Sequence, residues 1–332
     1  MAVLVTGGAG YIGAHVVRLL RERGEDVVVV DDLSGGLPDR AAGVPLVRLD
    51  LGDPGCVEPL TDALRTHGVD AAVHLAARKQ VAESIRRPAW YYAQNVGGTA
   101  HLLTAMESAR VDRLVFSSSA ATYGQPDTTC VTEDGPTRPI NPYGESKLVG
   151  EWLVRAAARA WGVDQMSLRY FNVAGAGWPD LGDTAVLNLV PIVLDRLSRG
   201  QAPVVFGADY PTPDGTCVRD YVHVLDLAEA HLAALDHLRE ASERPYDTFN
   251  VGTGTGSSVA EVVAELGRIT GLQPTPEVAP RRPGDPAALV ADVSRIYKVL
   301  GWRARHDLTD IVRSAWEARR WVNGRSRRPG TT

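Results

Sequence analysis

Short, nearly unbroken apolar runs alternate through the first half of the chain with longer stretches whose apolar positions recur every third or fourth residue. The first kind reads as strand buried on both faces, the second as amphipathic helix. The pattern predicts strands at about Ala2–Thr6, Val27–Asp31, Pro45–Asp50, Ala71–Ala76, Leu114–Ser119 and Met166–Phe171. It predicts helices at about Tyr11–Arg23, Cys56–His67, Pro88–Arg110 and Tyr143–Trp161. Strand and helix in alternation imply an α/β fold, a doubly wound parallel sheet covered on both faces. Ligands in such sheets lie beyond the carboxyl ends of the strands, so Gly7, Asp31, Asp50, Ala76, Ser119 and Asn172 should gather along one edge.

After Asn172 the rhythm breaks. A loop at Gly175–Gly182, a helix at Ala185–Arg199, a strand at Pro203–Gly207 and a turn-rich stretch at Asp209–Gly215 precede Arg219–His223. A helix at Leu225–Arg239 and a strand at Thr248–Val251 are expected to return to the first sheet. Ser257 or Ser258 can cap a helix running to Thr270, and the loop Pro280–Asp285 and helices at Ser294–Leu300 and Leu308–Val322 complete a smaller mixed α/β lobe. The expected division is residues 1–173, with 221–251 returning to them, against 174–220 and 252–322, with a disordered tail from 323 to 332.

Composition narrows the field only a little. At 332 residues, 44% hydrophobic and 23% charged, the chain has the makeup of a globular protein able to bury a sizeable core. A net charge of −5 argues against a nucleic-acid or anionic-membrane partner. No apolar run has the length of a membrane span, and Met1 leads directly into a strand, so neither an anchor nor a signal peptide is expected. Cys56, Cys130 and Cys217 are far apart and lack nearby His or Cys, which fits a reducing cytoplasm and gives no reason to expect a metal.

The first candidate chemistry lies where the opening strand meets glycines at 7, 10 and 13. Tyr11 and Ile12 open the helix that follows, whose N-terminus supplies N–H groups and a favourable dipole for a pyrophosphate. In this strand–turn–helix context the glycines mark a Rossmann-type dinucleotide site. The next strand ends at Asp31-Asp32, placed to bind adenosine ribose hydroxyls, and residues 33–37 offer no arginine or lysine for a 2′-phosphate. NAD is therefore expected rather than NADP.

The second is a hydroxyl, tyrosine and lysine set. Ser117–Ser119 ends a strand, and Tyr143 and Lys147 fall one helical turn apart on one face. An ammonium near a phenol favours the phenolate, so Lys147 should lower the Tyr143 pKa and make it a base for a sugar hydroxyl, with Ser119 sharing the proton.

With these motifs in view, the chain resembles the extended short-chain dehydrogenases/reductases and, within them, the UDP-glucose (UDP-galactose) 4-epimerases, over almost its whole length. The segments Leu168–Asn172, Phe206–Thr212 with Asp214–Thr216, Val218–Val224 and Pro280–Asp285 carry the resemblance to the sugar-nucleotide enzymes. It implies Ser119, Tyr143 and Lys147 as catalytic residues and NAD as cofactor, contacted also by Asp31, Asp50, Leu51, Lys79, Asn95 and Tyr170. It implies that Asn172, Asn188, Leu189, Phe206, Arg219, Arg282 and Asp285 hold uridine diphosphate, with Lys79, Ser119 and Tyr143 toward the sugar. Arginines suit pyrophosphate oxygens and Phe206 suits uracil, although Arg219 could equally bridge Asp220 or another nearby acid. A homodimer is implied as well, through the helices Pro88–Arg110 and Tyr143–Trp161.

The expected reaction is inversion at C4 of a UDP-hexose through a 4-keto sugar, redox-neutral overall. Ala120 and Ala121 stand where related dehydratases carry acids, which disfavours elimination. Leu289 stands where some members have tyrosine, and the loop after Asn172 is short, so N-acetylated UDP-hexoses, or another nucleotide sugar of secondary metabolism, are the rival substrates. A non-catalytic NAD-binding scaffold is the rival of another class; retention of Tyr143 and Lys147 argues against it.

Overall fold

A computed structural model describes residues 2–240, 246–272, 275–282 and 284–326. Its main sheet has seven strands, β1 (Ala2–Thr6), β2 (Asp26–Asp31), β3 (Leu46–Arg48), β4 (Val69–His74), β5 (Arg113–Ser119), β6 (Asp164–Tyr170) and β7 (Tyr246–Val251). They lie in the order β7-β6-β5-β4-β1-β2-β3, and every pair is parallel. The reason is visible in β1, where alternate side chains enter opposite cores. Val3 and Val5 join Val16, Val17 and Leu20 of the helix Tyr11–Glu22 and Leu227 to Leu238 of the helix Val224–Glu240. Ala2 and Leu4 face the other way, onto Leu60 and Leu64 of Val57–Thr66, Leu102 and Met106 of Gly98–Ala109, and Val154 of Pro142–Trp161. Both faces are covered, as a parallel, crossover-connected sheet requires. The predicted doubly wound α/β sheet is present, and the chain returns to it at β7.

Beyond Asn172 the strand Val218–His223 organises smaller sheets. It pairs in parallel with Asn172–Ala174 and Ala288–Ala291, and antiparallel with Gly256–Ser258. Val204–Phe206 pairs with Glu277–Ala279. A separate core under them joins Val190, Val193, Val205, Tyr221, Val262, Leu266, Ile311 and Val312. Ser258 is the cap of the helix Val259–Thr270, in a capping box with Glu261.

Several expected boundaries move, each for a local reason. Predicted helix Pro88–Arg110 is interrupted by a π segment at Tyr92–Gly97, because Asn95 turns aside to bond both Arg78 N and Arg78 O. The helix expected from Ala185 begins at Leu189, since Asp183 Oδ1 accepts Ala185 N and folds residues 183–187 as a turn. Strand β4 stops at His74, leaving Leu75 and Ala76 to line a cleft. The last helix runs through Asn323 to Ser326, correcting the expectation of disorder there; residues 327–332 lie outside those described. Among the described residues no helix is long and apolar enough to cross a membrane, and no cluster of His, Cys, Asp or Glu could hold a metal.

Candidate active site

The carboxyl ends of the strands border a cleft of about 450 Å³. Gly7, at φ +71°, closes the turn after β1; a Cβ there would lie 2.8 Å from Ala76 N, and one on Gly13 would lie 2.1 Å from Gly7 O. Only glycine permits so close a backbone approach. Gly10 caps the helix Tyr11–Glu22 without any side-chain bond to its first turn, and Gly10, Tyr11, Ile12 and Gly13 line the cleft. The orphan N–H groups at this terminus are an anion site.

Asp31 is buried at the end of β2, where Oδ2 accepts Ala9 N at 3.0 Å and Oδ1 accepts Leu33 N at 2.8 Å. Burial pushes its carboxyl above the ordinary value, against the pull of those two bonds. Each oxygen keeps lone pairs for a further donor. Asp50, Leu51 and Lys79 also line the cleft. Asn95 does not line it, but it pins the Arg78 backbone at the wall and donates to Ser146 Oγ at 2.9 Å, tying that wall to the helix Pro142–Trp161. Two lining arginines escaped the sequence reading. Arg40 reaches in from beyond β2, with a buried Nε that has no partner. Arg78 comes from the far side of β1 to pair with Asp32 at 2.6 Å, so although residues 33–37 offer no base, as expected, one reaches the Asp31-Asp32 pair from another strand. No local signal could have found either, because both depend on which strands are neighbours.

At the other end of the cleft are Ser117, Tyr143, Lys147 and Tyr170. Asn141 caps the helix that carries Tyr143 and Lys147, accepting Gly144 N at 2.9 Å, and Pro142 opens it. Lys147 is buried and donates from Nζ to Ser117 O at 2.8 Å; burial lowers it to about 7, with Glu151 pulling it back up. Tyr143 is half-buried. Burial raises its phenol, and a hydrogen bond with Ser119 lowers it. The expected depression by Lys147 is therefore not the ruling effect here: burial outweighs it, and Ser119 is the group that opposes burial. Tyr170 lies against His231, its phenol raised by burial.

The residues expected to hold uridine diphosphate form a second group outside that cleft. Arg219 donates to Asp285 Oδ1 at 2.8 Å, so it bridges an acid as the residues alone allowed, though Asp285 rather than Asp220. Asp220 is buried, accepting Thr253 N, Gly254 N and Ala291 N. The Arg282 guanidinium lies 3.9 Å from the centre of the Phe206 ring. Asn172 is exposed at the start of its strand, and Asn188 precedes Leu189 at the helix start, donating to Asp183 Oδ2 at 3.4 Å. Two links join the groups. Asp183 lines the cleft, and Leu289, in register with Arg219, packs against the cluster holding Ala120, next to Ser119.

A glycine turn, a buried acid at the end of the next strand, and a serine at a strand end with a tyrosine and a lysine on the following helix are the marks of a dinucleotide-dependent enzyme of the short-chain dehydrogenase/reductase class. The chain belongs to the NAD dependent epimerase/dehydratase family, whose model matches residues 3–252. It is 47% identical over 323 residues to a UDP-glucose 4-epimerase of Azospirillum brasilense, covering 95% of this chain and 91% of that one. Among solved structures, the UDP-glucose 4-epimerase of Stenotrophomonas maltophila, crystallised with NAD and formylated UDP-arabinopyranose, superposes with a TM-score of 0.93 at 40% identity, covering 98% of this chain and 99% of that one. That of Bifidobacterium longum, in complex with NAD+ and UDP, gives 0.89 at 36% identity, covering 97% and 98%.

Proposed function

We propose that this chain is an isomerase that reversibly inverts C4 of a UDP-hexose, interconverting UDP-glucose and UDP-galactose through a 4-keto sugar, with NAD as its cofactor. The observation that carries the reading is Tyr143 and buried Lys147 lining the end of a glycine-turned dinucleotide cleft, with Lys147 tied to the strand that ends at Ser119 and Ser119 opposing the rise that burial imposes on the Tyr143 phenol. The cleft fits the cofactor: glycine contacts leave no room for a Cβ, the helix terminus is uncapped, and Arg40 Nε is buried without a partner. Gly7, Gly10, Tyr11, Ile12 and Gly13 would hold its pyrophosphate, Asp31, Asp50 and Leu51 its adenosine, and Lys79, Lys147 and Tyr170 would border the remainder, with Asn95 bracing the wall at Arg78 from behind. Bound there, NAD supplies a reversible hydride acceptor.

The protein's own part is proton handling and grip. Tyr143 Oη takes the proton of the C4 hydroxyl, and Ser119 stabilises the phenolate by its hydrogen bond. Lys147 keeps two further N–H donors after serving Ser117 O, one for a ribose hydroxyl. Arg219 and Arg282 hold the diphosphate, Phe206 with Asn188 and Leu189 the uracil, and Asp285 the uridine ribose. The pyrophosphate is then the fixed point about which the keto sugar turns. Ala120 and Ala121 place no acid or base where elimination would need one.

The same reading includes a homodimer, supported by large apolar side chains left exposed on neighbouring helices: Ile85 (63%), Tyr92 and Trp152 (55%). It includes a cytoplasmic setting, which the free thiols of Cys56, Cys130 and Cys217 support. It divides the chain at 173 and 221, with 221–251 returning to the first domain; Val222 and the helix Val224–Glu240 in the main core and Tyr246–Val251 on the main sheet support that return, while Tyr221 packs in the smaller core. Incubating the purified protein with UDP-glucose, UDP-galactose and their N-acetylated counterparts, and resolving products by chromatography, tests the function. Interconversion of the first pair is expected. Turnover of only the acetylated pair would move the assignment to the rival substrate, and no turnover by NAD-loaded protein would overturn it.

A further inference from the structure

Arg78 and Asp32 stand on opposite sides of β1. Strand β4, which leads to Arg78, and β2, which leads to Asp32, both pair with β1. Adjacent strands are about 4.8 Å apart, so the two strand ends are separated by roughly 10 Å, with the glycine turn between them. The Arg78–Asp32 pair crosses that interval at 2.6 Å from Nη2 to Oδ2. Nη1 donates to Ser34 Oγ on the same far side. On the near side Nε donates to Gln94 Oε1 at 3.0 Å, Trp90 lies under the guanidinium at 5.0 Å, and Asn95 clamps the Arg78 backbone from both N and O. Asp32, Ser34, Arg78, Trp90 and Gln94 all line the cleft.

An arginine placed only for solubility would not be held from both ends. This one is anchored at its base by a π segment and spends its guanidinium across the mouth of the cleft. A dinucleotide running from the Asp31 side to the Tyr143 side has to pass beneath or displace it. In a redox-neutral cycle the cofactor ends each turnover in the state in which it began, so retention costs the enzyme nothing.

We propose that Arg78 is a cofactor-retaining clasp, joining Asp32 and Ser34 across the dinucleotide cleft and slowing escape of the bound cofactor. The clasp rests on the reading of this cleft as the NAD site. Burial pushes the Asp32 carboxyl up, but the Ser34 hydrogen bonds and the Arg78 charge bring it below the ordinary value, so the pair stays ionised at neutral pH. With both side chains partly open to solvent, at 23% and 26%, the attraction is screened by salt.

The test measures release of labelled NAD from the loaded protein into excess unlabelled NAD, for wild type, Arg78→Leu, Asp32→Asn and the double variant. Each single change should speed release by about two- to fivefold, as befits a partly exposed pair. The double should be no faster than the faster single, because the clasp is lost only once. Wild-type release should quicken with added salt, and Arg78→Leu release should not. Unchanged release in Arg78→Leu, or effects that multiply in the double, overturns the clasp while leaving the cofactor site standing. If Arg78→Leu fails to fold, the near-isosteric Asp32→Asn with its salt series decides. Wild-type protein that binds no NAD would overturn the cofactor reading itself, and the clasp with it.

Discussion

Lys147 Nζ donates to the Ser117 carbonyl at 2.8 Å, which fastens the second turn of the helix Pro142–Trp161 to the strand that ends at Ser119. The bond fixes the lysine where its charge acts on the site, while burial holds it at about 7. A cation near a phenol favours the phenolate, so removing the cation makes Tyr143 harder to ionise. In Lys147→Met the acid limb of the kcat/KM–pH profile should move to higher pH, the direction in which loss of a cation moves a phenol, with burial and Ser119 still setting most of the Tyr143 value. A profile lowered in height but unmoved in pH would make Lys147 a structural anchor only.

Tyr143→Phe removes the base and keeps the ring. Turnover should fall by roughly a hundred- to ten-thousandfold, the usual worth of a general base. UDP-sugar binding, measured by calorimetry, should stay close to wild type. Wild-type turnover in this variant would remove Tyr143 from the mechanism.

Behind the site, Arg169 and Glu151 are fully buried and doubly bonded, Nε to Oε1 and Nη2 to Oε2, both at 2.8 Å. Tyr123 and the Glu133 carbonyl take the rest of the guanidinium. Truncating one partner strands a buried charge. Glu151→Ala should therefore cost about 3–5 kcal/mol of stability by urea unfolding. A loss below about 1 kcal/mol would show that water or another group satisfies Arg169.

Acid should destabilise the fold through its buried histidines. Burial lowers His15 and His231 to about 4, and His74 and His223 to about 3, from an ordinary 6.5. Between these values and 6.5 the unfolded chain binds more protons than the folded one, so stability rises with pH across that window and is lost as pH falls through it. At pH 5 the loss should be roughly one to two kcal/mol for each histidine. The raised carboxyls of Asp31, Glu133 and Asp220 work in the opposite direction. Urea midpoints at pH 7 and pH 5 check the sum, and His231→Gln should flatten the difference. An unchanged midpoint between the two pH values would refute the account.

The sheet was legible because its strands are apolar on both faces and its helices are amphipathic, and the glycine turn because close backbone approach admits no other residue. The π segment at Tyr92–Gly97 was not legible, since it depends on Asn95 reaching the Arg78 backbone from a different element. Arg78 itself was missed for the same reason: its partner Asp32 is distant in sequence and adjacent only through strand order. The Tyr143 pKa was misjudged because spacing along a helix shows proximity to Lys147 but not the burial that outweighs it.

Leu289 offers the sharpest test of substrate choice. It is in register with Arg219, on the diphosphate side, and packs into the cluster of Ala120, Tyr123, Val131 and Phe171 beside Ser119. On the proposed function the side chain would stand between the residues that grip the nucleotide and those that act at C4. A tyrosine there adds a ring and a hydroxyl to the wall past which the turning sugar must swing. Overpacking a fixed site costs about 1–3 kcal/mol, so Leu289→Tyr should lower kcat/KM on an N-acetylated UDP-hexose by roughly ten- to a hundredfold. UDP-galactose, lacking the acetamido group, should lose far less. Comparing UDP-galactose with UDP-N-acetylgalactosamine in both proteins gives the ratio directly. If wild type ignores the acetylated sugar, or the tyrosine leaves the ratio unchanged, Leu289 is packing for the Ala120 cluster and selectivity is set elsewhere.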